Sequence, residues 1–107
     1  MLYYITNAYL GNNANLEKAK EITRNLQKKD MANCYVNPLI FLSHLDFNKF
    51  NKDDLMELRL DILQNCDKLI VSGAISDNMR LEIDFAKLVK MEVMRLEENG
   101  ELRPFTE

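Results

Sequence analysis

Residues 67–89, DKLIVSGAISDNMRLEIDFAKLV, read as a buried strand, a turn and a helix in immediate succession. Asp67 to Ser72 carries Leu69, Ile70 and Val71 in an unbroken apolar run, and Gly73 follows as a breaker. Ser76 or Asp77 is a side chain of the kind that caps a helix, and the periodicity predicts a helix from there to about Lys90. At about 100° per residue, Met79, Leu81, Ile83, Phe85, Ala86, Leu88 and Val89 fill one wide arc, with Arg80, Asp84 and Lys87 opposite. Glu82 falls in the middle of the apolar arc. An ionised carboxylate in a low-dielectric interior is costly unless it is paired, hydrogen-bonded or open to a polar cavity. Glu82 is therefore either a structural carboxylate, bonded to a loop or across a subunit contact, or part of a ligand pocket beyond the carboxyl end of a strand.

Working outward, Leu2 to Thr6 is a strand of consecutive β-formers, and Asn7 to Asn13 (NAYLGNN) is a loop. A helix is predicted from about Asn15 to Lys29, with Leu16, Ala19, Ile22 and Leu26 on one face. Asn33 to Val36 is a second strand, which Asn37-Pro38 ends because proline removes a ladder donor. The stretch LIFLSHLDFNKFN that follows has no clear period and reads as a long loop with a short helical turn, in which Phe41, Leu45, Phe47 and Phe50 serve either function or the core. The segment DDLMELRLDILQNC, residues 53–66, is a helix apolar over more than half its circumference. Such a helix is expected to self-associate, making the protein a homo-oligomer. Arg59 lies inside its apolar arc, placed to snorkel, to pair across an interface, or to meet a carboxylate or phosphate. Met91 to Leu96 alternates as a last strand, and the tail ENGELRPFTE is polar and turn-like, with mobility expected.

The sum is a single domain over residues 1–107, an α/β fold of the three-layer α/β/α kind. Its mostly parallel sheet of four to five strands is expected in the order 2-1-3-4, Rossmann- or flavodoxin-like with right-handed crossovers. The ligand crevice of such a sheet opens at the carboxyl ends of strands one and three. That puts the loop from Asn7, the turn Gly73 to Asp77, and Glu82 around one point.

Composition narrows the function. With 47% hydrophobic and 29% charged residues, the chain is ordinary for a globular domain. A net charge of −3 with interspersed cations argues against nucleic acid or an anionic membrane as partner. There is no run of eighteen apolar residues and no basic leader at the start, so a cytoplasmic protein without membrane contact is expected. Cys34 and Cys66 have neither metal nor redox-pair spacing and read as reduced core thiols. His44 has no second His or Cys near it, so neither a metal nor another cofactor is expected.

Four runs, YITNAYLG (4–11), VNPL (36–39), NCDKLIVSG (65–73) and SDNMRLEIDFA (76–86), occur in an order and spacing that resembles the small nucleoside 2-deoxyribosyltransferase-like proteins, including a branch common in bacteria and phages. The resemblance covers roughly residues 2–95. It implies that Glu82, within Glu82-Ile83-Asp84-Phe85-Ala86, matches the E-x-G-x-A glutamate that attacks the anomeric carbon of an N-glycoside. By the same resemblance Tyr4 holds that glutamate by a hydrogen bond, and Asp67 matches a structural acid opening the third strand. The chain departs from the pattern where Gly-Pro is usual, with Asn7-Ala8, and where glycines are usual, with Asn78 and Asp84. Arg59 stands at or near the place of a transferase acid, Asp61 lies two positions off, and the tail has no match for a neighbouring subunit's asparagine.

The expected function is therefore binding of a nucleotide-derived small molecule, a nucleotide or ADP-ribose-like compound, with sequestration of a signalling nucleotide and no turnover. Its site would comprise Tyr4, Asn7, Tyr9, Gly11, Arg59, Gly73, Ser76, Asp77 and Glu82. Arg59 near a helix end and the backbone amides at Ser76 would favour a phosphate-bearing ligand. The alternative is an enzyme that cleaves N-glycosidic bonds, with Glu82 as nucleophile and Tyr4 beside it.

Overall fold

Five strands make one sheet in the order β2-β1-β3-β4-β5 in a computed structural model that describes residues 1–8, 13–43 and 50–106. The elements are β1 (Leu2–Thr6), α1 (Asn13–Lys29), β2 (Cys34–Val36), α2 (Pro38–Leu42), α3 (Lys52–Gln64), β3 (Lys68–Ser72), α4 (Asp77–Leu88), β4 (Glu92–Leu96) and β5 (Leu102–Pro104). The first four strands of the sheet are parallel, and β5 runs antiparallel to β4. From β1 the chain moves to one side for β2 and to the other for β3, so the direction of winding reverses between β1 and β3.

The strand period assigns the core. Tyr4, Leu69 and Val71 pack in one cluster with Leu63 of α3 and with Met79, Ile83 and Ala86 of α4. Ile5 and Ile70 pack in a second cluster with Leu26 of α1 and Tyr35 of β2. Successive residues of β1 and β3 thus alternate between clusters, as a period of two requires. Leu69, Ile70 and Val71 are wholly buried, each stabilising the fold by roughly 1.5–3 kcal/mol.

Asp67 ties the start of β3 to β1. Its Oδ2 accepts from the Leu2 amide at 2.7 Å, and its own amide donates to the Leu2 carbonyl at 2.7 Å. This is the structural role expected of it. Asn37 caps α2, its side chain accepting from the Leu39 amide at 3.1 Å with Pro38 as the first helical residue.

Several expectations change. The tail is ordered as β5, because Gly100, at φ 89°, turns the chain and the Glu97 amide bonds the Glu101 carbonyl at 2.8 Å. A side chain at Gly100 would also meet Lys29 Nζ at 2.7 Å. The stretch after Pro38 begins with a five-residue helix, α2, and Phe41 and Phe50 are exposed rather than plugging the core; Leu45 and Phe47 lie outside the described residues. Cys34 is exposed because it sits on the edge strand β2. Cys66 is buried, and burial together with Asp67 pushes its thiol up to about 11. In α4 the covered arc is narrower than the pattern implies, since Leu81, Leu88 and Val89 are at least half exposed. Only the stripe Met79, Glu82, Ile83, Ala86 is fully buried, as spacing of three and four allows for a helix lying on a sheet. The helix ends at Leu88, closed by Lys90 in the left-handed region (φ 60°) with the Met91 amide reaching back to the Ala86 carbonyl at 2.8 Å.

Candidate functional site

Four polar side chains from three separate elements meet inside the first core cluster. Tyr4 and Thr6 are two apart on β1, so both point to the face that α3 and α4 cover. Arg59 comes from the middle of α3 and Glu82 from the second turn of α4. Glu82 Oε1 accepts from Thr6 Oγ1 at 2.7 Å and from Arg59 Nη2 at 2.6 Å. Glu82 Oε2 accepts a short hydrogen bond from the Tyr4 hydroxyl. Tyr4, Thr6 and Glu82 are wholly buried, and Arg59 is 7% exposed.

This arrangement explains how the interior tolerates a carboxylate. Two hydroxyls and a guanidinium replace the water that Glu82 would otherwise bind. Burial, and then the Glu82 charge, hold the Tyr4 phenol far above its ordinary range, so Tyr4 is a permanent donor at neutral pH. Burial opposes the charge on Arg59, but the neighbouring Glu82 and Tyr4 outweigh it and raise the guanidinium above its ordinary value. One donor is left over: Arg59 Nε is buried and has no hydrogen-bond partner among the described residues. An unmade hydrogen bond of this kind costs about 1–3 kcal/mol.

Of the remaining expected site residues, Asn7, Gly73, Ser76 and Asp77 lie at or just beyond the carboxyl ends of β1 and β3. Asn7 is buried and its Oδ1 accepts from Asn37 Nδ2 at 2.9 Å, which locks the end of β1 to the start of α2. Gly73 is exposed at φ 77°, a conformation suited to glycine, with open space where a side chain would project. Ser76 caps α4, accepting from the Met79 amide at 3.3 Å, and Asp77 is exposed in the first turn. Tyr9 and Gly11 lie outside the described residues. Of the roles open to Arg59, the structure shows it meeting a carboxylate, that of Glu82 in the same chain.

Two members of the cluster and its surroundings escape a reading of the sequence. Thr6 was signalled only by its i, i+2 relation to Tyr4. Asn37 was signalled by Asn-Pro at a helix start, a capping pattern rather than a site pattern. No group of three His, Cys, Asp or Glu side chains suited to a metal ion occurs among the described residues. No helix among them is long and apolar enough to cross a membrane.

The family model for a domain of unknown function, DUF7768, matches residues 1–96, which include all four members of the cluster. The chain belongs to the DUF7768 family. No curated protein and no solved structure matches it. Within this DUF7768 domain the match runs through β4 to its last residue and leaves β5 beyond it. The polar cluster thus lies within the matched residues, and β5 lies beyond them.

Proposed function

We propose that this DUF7768 domain is a nucleoside 2-deoxyribosyltransferase-like, three-layer α/β/α unit that binds a nucleotide-derived small molecule and holds it without turnover. Support for the layering comes from the two core clusters, which take alternate residues of β1 and β3 and draw on different helices. The observation that carries the function is the buried cluster Tyr4–Thr6–Arg59–Glu82 beneath the point where the winding reverses. Open α/β sheets take their ligands at such a point, outside the carboxyl ends of the strands. Arg59 Nε supplies one donor for an acceptor on the ligand, such as a sugar oxygen. Asn7, Gly73 and Ser76 border the same end of the sheet.

Binding is favoured over cleavage by the state of Glu82. A nucleophilic carboxylate needs a free lone pair aimed at the anomeric carbon. Both oxygens of Glu82 already accept hydrogen bonds, one of them from a guanidinium, which stabilises the anion and blunts its attack. In this reading Glu82 positions Arg59 and Tyr4, and the protein sequesters its ligand as a cytoplasmic homo-oligomer. Association through α3, beside the exposed Leu58, Leu81 and Leu88, would cover apolar surface that the single chain leaves in water.

The test is to incubate the protein with nucleosides, nucleotides and ADP-ribose derivatives, then assay the solution by mass spectrometry before and after heat denaturation. The expected result is one compound depleted from solution and returned intact on heating, with depletion lost in Glu82→Gln. Release of free base in place of intact ligand would transfer Glu82 to the role of nucleophile. A panel left untouched would refute the proposal.

A further inference from the structure

The β4–β5 hairpin carries a charge arrangement that the fold itself does not need. Arg95 is paired in register with Val71 on one side and with Arg103 on the other. Val71 belongs to the cluster under α4, so Arg95 stands on the α4 face of the sheet. Two like charges directly opposite each other on an antiparallel ladder destabilise the pairing. Arg103 is mostly exposed and bonds Glu101 at 3.0 Å, which relieves its side of the pair. Arg95 is half-buried, with no ion pair or side-chain hydrogen bond among the described residues.

Arg95 also lines an open cleft of about 450 Å3 between the start of α4 and the hairpin. Arg80, in the first turns of α4, lines it from the helix side, Ile75 and Phe105 give it apolar walls, and Glu97 is the one acid on its lining among the described residues. Arg95 thus brings to the cleft a guanidinium that has no ion pair among the described residues. Small-molecule sites begin at roughly this volume and combine apolar walls with a few convergent polar groups. Arginine is the side chain whose fork matches phosphate.

We propose that this cleft is an anion site that takes the phosphate of a small phosphorylated ligand, with Arg95 as the contact. The contact stands on the hairpin and the cleft alone. That the phosphate belongs to a nucleotide rests on the function proposed above. Ile75 packs in the first core cluster and also lines the cleft, so the two places adjoin through the loop before α4.

The experiment is calorimetric titration of the whole protein with inorganic pyrophosphate, a nucleoside and its monophosphate, in wild type, Arg95→Gln and Glu82→Gln. Pyrophosphate is expected to bind wild type and to bind Arg95→Gln about tenfold more weakly, the value of one charged hydrogen-bonded contact. Arg95→Gln is expected to melt no lower than wild type, because it removes one of two facing charges. Absence of pyrophosphate binding, or binding unaltered in Arg95→Gln, overturns the anion site whatever the nucleosides do. Nucleoside and monophosphate binding equally, both lost in Glu82→Gln, overturns the assignment of the phosphate to a nucleotide while leaving the Glu82 site standing. Arg95-dependent pyrophosphate binding with no response to either nucleoside compound supports the anion site and refutes the nucleotide reading. A monophosphate advantage that disappears in Arg95→Gln supports both.

Discussion

Replacing Arg59 by methionine keeps most of the side-chain volume and removes the only cation that Glu82 touches among the described residues. The wild-type pair has Nη2 and Oε1 2.6 Å apart, with side chains 9% and 0% exposed. Two unit charges with centres about 4 Å apart interact by about 4 kcal/mol at an effective dielectric constant of roughly 20. Breaking a buried pair on one side costs about 3–5 kcal/mol, because the surviving charge is left in the core. For a domain with roughly 5–15 kcal/mol in hand, that is a large share of the total. Urea unfolding at pH 7 measures it. With a slope of about 1.5 kcal/mol/M, a loss of about 3 kcal/mol moves the midpoint down by about 2 M. Glu82→Gln alone strands the guanidinium and is also expected to destabilise. The double variant should recover at least about 2 kcal/mol of the summed loss, which is the coupling of the pair. If Arg59→Met costs under about 1 kcal/mol, or the two losses simply add, the pair does not stabilise the fold and the reasoning fails.

Two further changes probe features around that pair. The Tyr4 phenol is raised in the folded protein by burial and by Glu82, so it stays protonated while the unfolded chain ionises near its ordinary value of about 10. A raised group contributes stability that is present below the unfolded value and lost as pH climbs above it. Wild type should therefore weaken above about pH 10 more steeply than Tyr4→Phe, and parallel stability curves for the two would refute the burial of that hydroxyl. Lys90→Gly removes a side chain from a left-handed position at the end of α4 and is expected to raise stability by about 1 kcal/mol, read as a higher melting temperature. A lower melting temperature would mean that Lys90 contributes through its side chain instead.

The first four strands were legible because each announces itself by composition or by what brackets it. Leu69, Ile70 and Val71 form a run too short for a helix and end at Gly73, and alternation with helical periods leaves few topologies. The fifth strand was hidden because Leu102-Arg103-Pro104 is too short to show a period and is held by β4 pairing and the Gly100 turn. Glu82 was legible as an oddity on an apolar stripe, whereas Tyr4 was paired with it only through a resemblance; the hydrogen bond between the two is observed. The role of Arg59 stayed open because a helical wheel gives direction and not partner. Its position inside the apolar arc was right, but whether the arc faces a ligand, a second chain or Glu82 depends on the packing of α3 against α4. Leu81 and Leu88 were misplaced for a related reason. A wheel counts apolar residues without knowing that a helix on a sheet covers only the stripe around Met79, Ile83 and Ala86.

The cluster is harder to justify as scaffolding than as chemistry. Met79, Ile83 and Ala86 already dock α4 against Leu69, Val71 and Leu63, so the helix does not need Glu82 to find its place. Replacing a buried ion pair by apolar residues of similar volume is often neutral or stabilising, so stability alone gives no reason to keep this one. Its members come from β1, α3 and α4, and they converge under the winding reversal rather than elsewhere in a core where apolar contact would serve. The surplus donor on Arg59 has the same implication, because a purely structural network gains nothing from a buried N–H without an acceptor. A ligand oxygen that accepts from Arg59 Nε would complete the network, and the cost of leaving that donor unmade would then appear as affinity. Under the proposed function, a ligand that carries such an acceptor would be favoured by roughly 1–3 kcal/mol over one that lacks it.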